Sequence, residues 1–137
     1  MIEDRGVSIP LIHPPLNVRI EAAFRDGRYE EGVHLFILET LRADHVVLEF
    51  GTGLGFVAAL ASKIAATVHT YEANPELEGY LHTIFKANGV APFLHMVGIA
   101  PDNGQQVLTV GEEAWSSSFV PRAMNGFYEI TVPCISG

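Results

Sequence analysis

A chain of 137 residues, 48% hydrophobic and 18% charged, has the material for one globular core, which excludes a disordered segment or an array of domains. Its 16 acidic residues against 8 basic ones give a formal charge of −8 that repels phosphate backbones and anionic lipid surfaces, so neither nucleic acid nor a membrane is an expected partner. The lone Cys134 permits no intrachain disulfide, Met1 to Arg5 feed no apolar leader, and no apolar run reaches membrane-spanning length; a cytoplasmic protein is expected.

Residues 1 to 27 read as an N-terminal arm. Pro10, Pro14 and Pro15 among scattered apolar residues predict an extended segment over 1 to 18, and Asn17 to Arg25 a short helix or a strand. Asp26 and Gly27 make a turn. Beyond it Val33, Phe36, Ile37 and Leu41 recur at helical spacing behind Glu30 and Glu31, a helix expected to pack on a sheet.

Val46 to Phe50 is a short β-branched and aliphatic run with Glu49 near its end, the pattern of a buried parallel strand. Gly51, Gly53 and Gly55 then bend the chain into an alanine-rich apolar helix from about Gly55 to Ile64. Strand, glycine turn and helix together form the kind of turn that approaches a nucleotide cofactor. Thr67 to Tyr71 is a second strand, and Glu72 at its end lies twenty-one positions after Gly51, where a carboxylate can accept both hydroxyls of a ribose.

Asn74 is placed as an N-cap with Pro75 at the first helical position, and Leu77, Tyr80, Leu81, Ile84 and Phe85 form one buried stripe ended by Asn88 and Gly89. Phe93 to Ile99 reads as a third strand. The alternation of helix and strand predicts an α/β fold, a parallel sheet with right-handed crossovers and helices on both faces. After the Pro101 to Gly104 turn, Val107 to Val110 and Tyr128 to Val132 predict an antiparallel pair at one edge. Between them a surface loop is expected, anchored by aromatics that include Trp115 and Phe119.

No metal site is expected. His13, His34, His45, His69, His82 and His95 have no paired ligand spacing, and Ser116 to Ser118 follow no nucleophile elbow. The glycine turn admits two registers. Gly53-Leu54-Gly55-Phe56-Val57-Ala58 fits a dinucleotide pattern and an NAD(P)-binding Rossmann domain, but leaves Glu49 and Gly51 unused. Glu49-Phe50-Gly51-Thr52-Gly53-Leu54-Gly55 uses every special residue as an acid-x-G-x-G-x-G motif, and this resembles the first motif of S-adenosylmethionine-dependent methyltransferases.

The likeness continues through Arg28-Tyr29-Glu30, Tyr71-Glu72-Ala73-Asn74-Pro75, Asn88-Gly89-Val90 and Trp115-Ser116-Ser117-Ser118, and in that order it resembles the FkbM family of methyltransferases. The resemblance implies a Rossmann-like methyltransferase fold and S-adenosyl-L-methionine as cofactor. It places Glu49, Phe50, Gly51, Thr52, Gly53 and Gly55 against the methionine part, Glu72, Ala73 and Asn74 beside the ribose or adenine, and Gly98 and Ile99 near the adenine. It implies O-methyl transfer to a small molecule or glycan and names no catalytic base. Family members continue past the equivalent of Val132 and Pro133 into a fourth strand, so a truncated domain over 1 to 137 is expected. With that strand absent, the Val46 to Phe50 strand has an open edge, and a homodimer or higher oligomer covering it is expected. The alternative to an enzyme is a non-catalytic cofactor-binding or assembly module.

Overall fold

The computed structural model describes residues 1–113, 116–120 and 126–137; Trp115 lies outside them. The N-terminal segment is not an extended arm. Its strands β1 (Ile2–Asp4) and β2 (Val7–Ile9) pair antiparallel around a turn in which Arg5 and Gly6 take positive φ. The alternation that builds this hairpin buries Ile2, Val7 and Ile9 in the main core. Helix α1 (Val18–Arg25) follows, capped by the Asn17 side chain, which accepts from the Ile20 amide at 2.9 Å; the helical alternative for this stretch is the one the chain adopts.

Helix α2 (Glu31–Thr40), strand β3 (Val46–Phe50), helix α3 (Phe56–Ser62), strand β4 (Thr67–Tyr71), a single 3-10 turn (Pro75–Leu77), helix α4 (Glu78–Ala87) and strand β5 (Phe93–His95) then alternate as expected. The sheet is parallel, ordered β3-β4-β5, with Leu48 opposite His69 and His69 opposite Phe93. Every residue of the stripe Leu77, Tyr80, Leu81, Ile84 and Phe85 is buried, and Asn74 caps the turn before it. Tight packing follows from size. The alanines of α3 let it lie close to β4 while α4 lies against α3.

Three expectations are corrected. The run 93 to 99 is two strands, because the chain leaves the parallel sheet after His95 and restarts as β6 (Gly98–Ala100) in a second sheet. That sheet is ordered β6-β8-β7. Here β7 (Gly104–Val110) and β8 (Tyr128–Ser136) are the expected antiparallel pair, and β8 runs parallel to β6 instead of covering β3. Nor do helices cover both faces of the parallel sheet among the described residues. Val47, Glu49, Val68 and Thr70 point to the covered side, while Val46, Leu48 and Phe50 are 65%, 60% and 61% exposed on the other, beside Tyr71, His69 and Phe93. The stripe expected of α2 is likewise only partly buried: His34 and Ile37 are inside, whereas Val33 and Phe36 stand exposed along the open edge of β3. No helix among the described residues is long and apolar enough to cross a membrane.

Candidate functional site

The carboxyl ends of β3 and β4 converge on the glycine turn. Gly51 and Thr52 donate their amides to the Tyr71 carbonyl at 2.9 and 3.1 Å, which extends the β3–β4 ladder into the turn. Gly51, Gly53 and Gly55 all take positive φ, so the chain doubles back within five residues and α3 begins immediately after Gly55.

Glu72 fastens the turn to the next strand. One carboxylate oxygen accepts from the Gly53 amide at 2.9 Å and the other from the Asn74 amide at 2.8 Å. Burial pushes its carboxyl above the ordinary range, while bonds from the Asn74, Gly53 and Ala73 amides pull it back. The sequence places Glu72 as a ribose acceptor alone; the structure gives it a second task, holding the glycine turn in shape. Glu72 also lines the first cavity, where the lone pair that these three amides leave can serve a ligand.

Two cavities meet at Phe50, Gly51 and Gly53. The first, about 220 Å³, is walled further by Tyr71, Glu72, Ala73, Gly98, Ile99 and Phe119. The second, about 300 Å³, is walled by Tyr29, Glu30, Glu49, Thr52 and Phe56. An aromatic cluster builds its far side: Phe24 and Tyr29 lie 4.2 Å apart, and Tyr29 meets Phe56 edge-on at 5.9 Å. That cluster carries Glu30, held at φ 50, to the cavity mouth.

Of the residues singled out in the sequence, Glu49, Phe50, Gly51, Thr52, Gly53, Glu72, Ala73, Gly98 and Ile99 stand on these walls. Two do not. Asn74 is fully buried and caps the helical turn, accepting from the Glu76 amide at 3.1 Å. Gly55 lies under the turn against Leu81, Ile84 and Phe85. Ser117, Ser118 and Phe119 also join the first cavity, although in the sequence they read only as loop polarity and an anchor. Ser118 reaches it by pairing with Thr109 of β7 through two backbone bonds of 2.9 Å, an isolated bridge that no strand pattern in the sequence signals.

Glu49 has an unusual setting. Its neighbour in register, Thr70, donates its hydroxyl to the carboxylate, and the Thr52 hydroxyl meets that of Thr70. Burial pushes the Glu49 carboxyl up to about 7; the Thr70 bond opposes this, and the nearby carboxylates of Glu72 and Glu30 add to it.

Fold and site thus define an α/β unit with a three-stranded parallel sheet and a glycine turn at its carboxyl end, consistent with a Rossmann-like nucleoside-cofactor domain. No family model matches the chain. It is similar to a protein-L-isoaspartate O-methyltransferase of Azorhizobium caulinodans, 41% identical over 58 residues, which are 42% of this chain and 27% of that protein. The likeness supports an S-adenosylmethionine-dependent methyltransferase in general and does not single out the FkbM family.

Proposed function

We propose that this chain forms the cofactor-binding part of an S-adenosylmethionine-dependent methyltransferase of the FkbM kind, acting on an oxygen of a small molecule or glycan. The observation that carries the reading is Glu72 bonded to Gly53 between two cavities that share Phe50, Gly51 and Gly53. The first cavity suits the adenosine, with Glu72 toward the ribose and Gly98 and Phe119 toward the base. The second suits the amino acid end, with Glu49 and Glu30 toward its cationic groups. The cofactor supplies a methyl already activated by the sulfonium, so the chain's own residues have to hold and orient it and exclude water.

Gly55 argues against the dinucleotide register. In that register it is the second glycine, the one whose backbone must approach a pyrophosphate. Here Gly55 is packed against α4, and Gly51 and Gly53 are the glycines that face open space. Calorimetric titration is expected to show S-adenosylmethionine and S-adenosylhomocysteine binding and NAD failing to bind. Binding of NAD alone overturns the reading.

We also propose that two copies associate across the open edge of β3. Val33, Phe36, Val46, Leu48 and Phe50 are 40%, 63%, 65%, 60% and 61% exposed along this edge and the bare face beside it, a clustered apolar surface and not scattered single residues. Antiparallel pairing of two β3 edges about Leu48 sets Val46 against Phe50 of the second copy on that face, with no Lys or Pro to block it. Light scattering on the eluting protein is expected to give twice the 14.9 kDa chain mass, and Val46→Lys to return it to one. A wild-type chain that stays at single mass at about 100 micromolar sinks the proposal.

A further inference from the structure

Glu49 is a half-buried carboxyl in acidic company. From the connection between α1 and α2 it faces Tyr29 and Glu30, and from the end of β4 it faces Glu72. Phe56 and Val57 of α3 and Val33 of α2 bring no charge, and the wall of the second cavity holds no Lys, Arg or His among the described residues. The nearby guanidinium of Arg5, 5.0 Å from the centre of the Phe56 ring, is engaged with Asp4 and the Tyr29 carbonyl. A carboxylate there is partly desolvated and faces no counter-ion among the described residues of the cavity wall, and the Thr70 hydroxyl offsets only part of that loss. A cation placed in the cavity reverses the balance. It supplies the missing counter-charge at short range in a site of low dielectric.

We propose that ligand binding in the second cavity is coupled to loss of a proton from Glu49: a cationic group entering between Tyr29, Glu30 and Gly51 supplies the counter-charge that the cavity wall lacks and favours the carboxylate over the protonated carboxyl, and the proton passes to solvent. The identity of the ligand rests on the methyltransferase reading: S-adenosylmethionine brings a sulfonium and an ammonium and S-adenosylhomocysteine the ammonium without the sulfonium, and in both the carboxylate of the amino acid end has to point away from Glu49 and Glu30. The coupling makes the site tighter as pH rises, and it ties the charge beneath the glycine turn to occupancy.

Calorimetric titration of the whole chain with each ligand at pH 7, in phosphate and in Tris, reads the number of protons released from the difference in buffer heats. A fractional release near half a proton is expected, with binding about tenfold tighter at pH 7 than at pH 5.5. Glu49→Gln keeps the shape and removes the ionisation, so it is expected to bind more weakly at pH 7, release no proton and show a flat profile. Without ligand, the linkage has its own sign. A carboxyl raised in the folded state favours folding below its unfolded value and loses that contribution as pH rises through about 7, so wild-type stability is expected to fall across this window relative to Glu49→Gln. Binding with no proton release and a flat wild-type profile overturns the coupling alone. Failure of both ligands to bind at every pH overturns the methyltransferase reading and the coupling with it.

Discussion

Replacing Glu72 by alanine is expected to weaken S-adenosylhomocysteine binding by about 100-fold and to lower the stability of the free chain by about 2 to 4 kcal/mol. The first effect follows from two charge-assisted bonds to a ribose diol, each contributing about 1.5 to 3 kcal/mol and not fully additive. The second follows from the amides of Gly53 and Asn74, which lose their acceptor in a buried place at about 1 to 3 kcal/mol each, partly relieved when the ionisation cost of the carboxyl is removed. Sequence reasoning from the ribose role alone expects folding hardly to change. The bonded turn says otherwise. Glutamine is no rescue, because it presents an NH2 group where the Gly53 and Asn74 amides, one at each oxygen, both need an acceptor. Urea unfolding without ligand and calorimetry with it separate the two losses. A folded mutant of unchanged affinity removes Glu72 from the site.

Why the two losses fall on one residue also explains which parts of the site were legible. Residues 46 to 74 carry local signals: a β-branched strand, glycines at alternate positions, an acid at the next strand end and a capped helix. Each of these depends on neighbours within a few positions, and the structure places them as the spacing predicts. What periodicity cannot display is pairing across long separations. Phe93 to Ile99 is apolar apart from His95 and Gly98, and one glycine inside a strand pattern does not by itself tell a bulge from the break at which β5 ends and β6 joins β8. Phe119 and Gly98 are twenty-one residues apart, yet the Phe119 ring fills the space a side chain at Gly98 would need. The second wall of the first cavity arises from that contact, and the pairing of Thr109 with Ser118 holds the segment there. The hairpin over residues 2 to 9 was hidden for a related reason: each strand is three residues long, too short for alternation to stand out.

The bare side of the parallel sheet has a different cause. Alternation in Val46 to Phe50 cannot tell a strand buried on both faces from one buried on a single face, since apolar residues occupy four of the five positions. The expectation of helices on both faces came from the alternation of elements. Among the described residues the helices that follow that alternation gather on one side, where the N-terminal hairpin joins them in a single core cluster.

Gly55→Ala and Gly51→Ala are expected to fail in opposite ways, although both residues belong to one motif and both have positive φ. A β-carbon at Gly55 would stand 2.8 Å from Leu81 Cδ2, 2.9 Å from Ile84 Cγ2 and 3.3 Å from Phe85 Cε1, with the backbone held at φ +75. Left-handed backbone costs alanine about 1 to 2 kcal/mol, and forcing a methyl into a packed core costs about 1 to 3 more, so the free chain should lose roughly 2 to 5 kcal/mol. That is a large part of the ~5 to 15 kcal/mol that holds a domain together. At Gly51, φ is +83 but the added carbon meets nothing within 4 Å, so only the backbone term of about 1 to 2 kcal/mol applies to folding. The methyl projects instead where the two cavities join. Gly51→Ala should therefore keep most of its stability and lose most of its affinity for S-adenosylhomocysteine, whereas Gly55→Ala should lose stability first and, where still folded, bind nearly as wild type. Unfolding midpoints in urea and calorimetry on the same two variants decide it. Equal midpoints for Gly55→Ala and wild type, or wild-type affinity in Gly51→Ala, would mean that the third glycine does not carry the packing against α4 or that the first does not face the ligand.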